Sequence, residues 1–107
     1  MFLGEFEQIV LLAVLQLGDE AYGVTVRREV ESSVDQDIAR GGLYTTLDRL
    51  EEKGLLTSRV GGSTREHKGK PKRFFYVTPQ GISALRKSRS VLLKLWSGIE
   101  TRLGESR

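Results

Sequence analysis

The stretch from Arg40 to Thr78 constrains this chain more than any other. Leu43, Leu47 and Leu50 recur at i, i+4 and i+7, which is one face of a helix. Arg40, Thr45, Asp48, Arg49 and Glu52 fall largely on the other faces, so the helix pairs a buried stripe with a polar surface. Gly54 stops it, and Leu55-Leu56-Thr57-Ser58-Arg59-Val60 begins an extended run. A loop from Gly61 to Gly69 carries Arg65, His67 and Lys68, with Lys70, Lys72 and Arg73 behind them, and Phe74-Phe75-Tyr76-Val77 closes a hairpin. A helix followed by a hairpin with a cationic tip is the winged helix-turn-helix pattern, which points to the DNA duplex.

The flanking sequence completes that pattern. Phe2 to Leu17 reads as a first helix, since Phe6, Ile9, Val10, Ala13, Val14 and Leu17 form a broad apolar face. Gly18-Asp19-Glu20 breaks it, and Tyr22 to Ser33 gives a second helix with Tyr22, Val26 and Val30 on its apolar side. Asp35-Gln36-Asp37 is a polar turn into the third helix. At the other end, Thr78-Pro79 is a strong helix start, Thr as N-cap and Pro at the first helical position. From there Ile82, Leu85, Arg89, Leu92, Trp96, Ile99 and Leu103 follow alternating steps of three and four, an a/d seam with one polar member. A helix from Pro79 to Leu103 is ~37 Å long, whereas the rest of the chain should be only about 25 Å across. The overhanging seam calls for a second chain, most simply in a two-fold homodimer through Ile82, Leu85, Leu92, Trp96, Ile99 and Leu103. The competing reading folds this helix back over its own core. The expected fold class is therefore mainly α with a small β-hairpin: a winged helix-turn-helix over residues 1–78 and a C-terminal dimerisation helix over 79–107.

Composition narrows the chemistry. The chain of 107 residues is sized for one hydrophobic core and has no cysteine, which removes disulfides, thiolate metal sites and cysteine nucleophiles together. Its one histidine, His67, sits in a basic loop without a second ligand nearby, so a solvated residue or a phosphate neighbour fits it better than a metal ligand. No metal or cofactor is expected. No catalytic constellation is visible either, since nucleophilic and acid–base chemistry need oriented groups in a cleft and the acids here are spread along helix surfaces. There is no secretory leader pattern and no apolar run long enough to span a membrane, which reads as a cytoplasmic protein. The net charge of +3 is modest, but its distribution is not. The first twenty residues hold Glu5, Glu7, Asp19 and Glu20 and no Lys or Arg, while Arg59 to Arg73 holds six cations against the single acid Glu66. That asymmetry suits one face presented to a polyanion.

Tyr22-Gly23, Leu43-Tyr44, Leu47, Leu50-Glu51, Lys53-Gly54-Leu55, Lys72-Arg73-Phe74-Phe75-Tyr76-Val77-Thr78 and Gly81 together resemble the PadR family of bacterial winged-helix transcriptional regulators. The resemblance covers nearly the whole chain, including the single C-terminal helix of the shorter subfamily. It implies a homodimeric repressor binding double-stranded DNA, with the third helix in the major groove and the wing on the adjacent backbone or minor groove. Carried over by position, the groove-facing residues are Arg40, Gly41, Tyr44, Thr45 and Arg49, and the wing residues are Thr64, Arg65, Lys68, Lys70 and Lys72. Arg40 is the best placed to read a base, because its fork matches guanine. For Tyr44 a phosphate-binding hydroxyl and a ring packed beside the core both stand. Two departures from the family pattern are Ala39, where a small polar residue is usual, and Phe74-Phe75, where a Tyr pair is usual. The resemblance also implies a small aromatic effector held between the C-terminal helices, near Trp96; a plain packing role for that Trp is the alternative. A winged helix used for protein contacts is the competing function, since fold alone does not decide it.

Overall fold

The structure is a computed structural model, and it describes residues 2–61 and 71–105. Helix α1 spans Glu5–Leu17 and begins three residues later than its apolar pattern predicts. The Glu7 carboxylate accepts the Gly4 N–H at 2.9 Å, which fixes the first turn there. Val10, Leu11, Ala13 and Val14 of this helix are buried. A 3-10 turn over Gly18–Glu20 leads to α2, Gly23–Val34, which ends at Asp35 with φ of 55°. Tyr22, expected inside α2, is instead its N-cap and forms a β-bridge to Phe74.

Helix α3 spans Arg40–Glu52 and buries Leu43, Thr46, Leu47 and Leu50, the predicted stripe with one addition. It ends in a Schellman turn: Gly54 N–H donates to Glu51 O at 3.0 Å and Leu55 N–H to Leu50 O at 2.9 Å. The turn requires a positive φ at Gly54, observed at 76°, which is why a glycine stands there. Strands β1, Leu56–Gly61, and β2, Lys72–Val77, pair antiparallel in a register running from Leu56↔Val77 to Gly61↔Lys72. Phe75 N–H donates to Ala21 O at 2.8 Å, so the α1–α2 connection lies along the outer edge of β2. Val10, Leu11, Val26, Val30, Leu43, Leu47, Leu50, Leu56 and Phe75 close the core between the three helices and the hairpin. An ion pair of 2.7 Å between Lys53 and Glu7 ties the end of α3 to the start of α1. Burial alone would raise the Glu7 carboxyl. The Lys53 hydrogen bond, the Gly4 N–H and the charges of Lys53 and Arg49 outweigh it and hold the group below its ordinary value.

Helix α4, Pro79–Ser97, starts as the sequence predicts: Thr78 Oγ1 accepts the Gly81 N–H at 3.0 Å. The same hydroxyl donates to Gly54 O at 2.7 Å, fastening α4 to the end of α3. The expected continuous helix to Leu103 is corrected. Helix α4 ends at Ser97, and a short α5 covers Glu100–Glu105. At the junction Gly98 N–H turns to Leu95 O and Ile99 N–H to Trp96 O, while Ser97 Oγ donates to Lys94 O. A glycine and a back-bonding serine side by side weaken the α-helical ladder at that point. The overhang is nonetheless present. The molecule measures 56 × 28 × 21 Å with a radius of gyration of 16.2 Å, against about 13 Å for a compact chain of this length.

Candidate nucleic-acid interface

Burying Leu43, Leu47 and Leu50 rotates Arg40, Gly41, Thr45 and Arg49 into solvent on α3. Ala39 caps the helix without a side-chain hydrogen bond, so no side chain among the described residues covers the amides of the first turn. Nothing lies within 4 Å of where a Cβ would stand on Gly41 or Gly42, so no packing among the described residues requires glycine there. The Arg40 guanidinium stands 5.8 Å from the centroid of the Tyr44 ring. Tyr44 itself is half-buried, and its hydroxyl fits against Gly23 so closely that a Cβ there would lie 1.8 Å from the oxygen. The ring of Tyr44 is thus packed between α2 and α3, the second of its two sequence readings.

Between these helices lies a cleft of about 510 Å³ whose cations are Arg27, Arg28 and Arg40. Arg27 is committed internally: its Nε donates to Ile38 O at 2.9 Å and lies 3.5 Å from Glu31. Arg28 is exposed and joins Arg40 on the open side. Sequence reasoning passed over Arg28, because nothing in a mixed-charge helix surface distinguishes one arginine from its neighbour until the cleft is seen.

On the wing, Thr64, Arg65, His67, Lys68 and Lys70 lie outside the described residues. Lys72 and Arg73, adjacent on β2, face different surroundings. Arg73 Nη1 donates to Asp48 at 3.1 Å and Nη2 to Glu51, while its Nε donates to Ser58 Oγ at 3.1 Å. Ser58 in turn donates to Glu51. Arg73 therefore anchors the wing to α3 and neutralises two carboxylates on the helix. Lys72, expected on the exposed wing, is buried, with Nζ 3.6 Å from the centroid of the Tyr22 ring and without a hydrogen-bond partner. Strand alternation explains the split: successive side chains point to opposite faces.

The described residues hold no group of three or more His, Cys, Asp or Glu side chains able to bind a metal, and no helix among them is long and apolar enough to cross a membrane. What the first turns of α3 offer to solvent is Arg40, Thr45 and Arg49 beside amides that no side chain among the described residues caps. A model of the transcriptional regulator PadR-like family matches residues 11–87. The chain belongs to that family. It is thus a DNA-binding transcriptional regulator rather than an enzyme.

Solved structures agree with this PadR-like fold. A PadR family transcriptional regulator from Eggerthella lenta is 27% identical over 92% of this chain and 86% of its own, with a TM-score of 0.67. A PadR-like transcription factor from Bacteroides fragilis is 24% identical over 90% and 87%, with a TM-score of 0.70. A transcriptional regulator from Clostridium thermocellum is 23% identical over 89% and 86%, with a TM-score of 0.69. Among curated protein sequences, none matches the chain.

The PadR-like match ends within α4, where the predicted dimer seam divides. Leu85 is buried in the chain's own core and Ile82 is half-buried. For those two positions the fold-back reading describes what the chain does. Leu92, Trp96, Ile99 and Leu103 are exposed, together with Leu93 and Leu95, which the seam did not include. Leu12 and Leu15 of α1 are exposed as well, and with Ile82 and Arg89 they border an apolar groove of about 370 Å³.

Proposed function

We propose that this PadR-like regulator acts as a homodimeric repressor. The first turn of α3 enters the major groove, and the wing follows the neighbouring backbone. The observation that carries the DNA face is the exposed edge of α3: Arg40, Gly41, Thr45 and Arg49 outside, Leu43, Leu47 and Leu50 inside, and first-turn amides that no side chain among the described residues caps. Arg40 reads a base edge, Arg49 and Tyr44 meet phosphate, and Thr64, Arg65, Lys68, Lys70 and Lys72 supply the wing contacts. Arg28 joins them from α2. The dimer forms through Leu92, Trp96, Ile99 and Leu103, all of them exposed, as are Leu12 and Leu15 of α1. A small aromatic effector fits beside Trp96 between the paired helices. Access to DNA places the protein in the cytoplasm.

Fluorescence anisotropy with DNA from the protein's own upstream region, against a shuffled control across a salt series, tests the reading. A saturable preference for the upstream DNA at one dimer per site is the expected result. Equal weak binding to both sequences removes autoregulation and leaves an operator elsewhere. No binding even at low salt overturns the DNA-binding reading in favour of a protein-interaction module.

A further inference from the structure

Lys72 is the one buried side-chain polar atom among the described residues without a hydrogen-bond partner. Its ammonium rests on the π face of Tyr22, 3.6 Å from the ring centroid. A ring face compensates a cation in part, but a buried charge with neither hydrogen bond nor counter-ion among the described residues is an unfavourable arrangement. No carboxylate among the described residues pairs with it, and Asp48 and Glu51 of α3 are held by Arg73, the next residue. The position is specific. Lys72 opens β2 opposite Gly61, at the root of the wing. With Tyr22, Gly23, Tyr44 and Pro71 it lines a cleft of about 240 Å³ between the start of α2, helix α3 and the hairpin. Tyr44 brings a second donor to that cleft, a hydroxyl with no hydrogen bond to the described residues.

Two donors without acceptors, one of them cationic, call for an anionic ligand made of acceptors only. We propose that Lys72 is a concealed phosphate contact. In the DNA-free chain its ammonium is stored on Tyr22. On binding, rotation about the end of its stem carries it into the cleft, where it and the Tyr44 hydroxyl hold one backbone phosphate between α3 and the wing. The proposal rests on the DNA-binding reading above and adds a stored state: an arrangement that is unfavourable for the free fold and is relieved by the duplex.

Proton NMR reads the stored state directly. The Lys72 Hε protons of the free protein lie over an aromatic ring and are shifted upfield. Saturating DNA should return them to ordinary lysine positions, and inorganic phosphate at equal ionic strength should not. Persistence of the upfield shift in the DNA complex overturns the proposal, and reversal by phosphate alone replaces the duplex with a small-anion site. Lys72→Met keeps the stem and removes the charge. Its expected signature is a melting temperature equal to or above the parent, about tenfold weaker DNA binding, and a salt slope smaller by ~0.9. A lower melting temperature with parental affinity and slope makes Lys72 a structural pin and nothing more. Tyr22→Leu removes the ring but leaves the charge, and should keep the parental slope. Failure of the unmodified chain to bind DNA strikes the parent reading instead, and is distinguished by that control.

Discussion

Leu85 and Leu92 sit one heptad apart on the same helix face, yet Leu85 is 9% exposed and Leu92 46%. The first half of α4 lies against its own domain, with Gly81, Leu85 and Ser88 buried. The second half projects beyond it with Leu92, Leu93, Leu95 and Trp96 open. Identical periodicity thus has two outcomes, and the difference is reach. The core formed by α1, α3 and the hairpin ends before the seam does. A repeat in sequence fixes which residues share a face; whether that face is covered depends on what stands opposite it.

The largest effect expected from this contrast comes from charging the open half. Leu92→Glu combined with Trp96→Glu should leave a folded monomer by analytical ultracentrifugation and weaken operator binding by on the order of 100-fold, since two linked half-sites become one. A variant that stays dimeric with parental affinity removes α4 from the interface. Next in size is the docked half. Leu85→Ala should lower unfolding stability by about 2–3 kcal/mol, at every protein concentration. Leu92→Ala should instead give a melting temperature that differs from the parent only where the parent is dimeric. Equal, concentration-independent losses at the two sites would erase the distinction between the halves.

The sequence made the docked part of this molecule legible and the junctions much less so. The apolar stripes of α1, α2 and α3, the stop at Gly54 and the Thr78-Pro79 start follow from short-range chemistry, and each lies within a few residues of its expected place. The exposed edge of α3 was legible for the same reason, because a buried stripe dictates its opposite face. The break at Gly98 was missed because the apolar spacing runs through it unchanged, outvoting a single glycine. The local pattern makes Tyr22 the first residue of a helix, but its backbone serves the β2 edge through a bridge to Phe74, 52 residues further along the chain. The division of labour between Lys72 and Arg73 was likewise invisible in a string of cations. It depends on which face of β2 meets α3, and so on Asp48, Glu51 and Tyr22 together.

The clasp between Glu7 and Lys53 sharpens the comparison from the docked side, because it is satisfied wholly within the domain. The folded Glu7 carboxyl is held below its ordinary value of 4.5. A depressed carboxyl adds stability that is fully present above the unfolded value and disappears as pH falls through the folded one. Glu7→Gln should therefore cost about 1–2 kcal/mol at neutral pH. The urea stabilities of the two proteins should converge as pH drops below 4.5. Parallel curves across that range would mean the pair contributes no pH-dependent stability. The open half of α4, apolar at Leu92 and Trp96, carries no such ion pair among the described residues.

The smallest expected effect concerns the other place where the chain leaves something for a partner, the first turn of α3. Gly41 has open space where its Cβ would be, and a glycine inside a helix is less favourable than alanine. Gly41→Ala should therefore raise stability, by up to about 1 kcal/mol. If the glycine is there to let backbone amides approach the duplex, the same methyl should weaken DNA binding several-fold while leaving the dimer intact. A stability gain with unchanged affinity would separate this turn from the interface and confine recognition to Arg40, Thr45 and the wing. A stability gain joined to a loss of affinity would put the α3 start in the same class as the open half of α4, a surface whose sequence makes sense only when its partner is present.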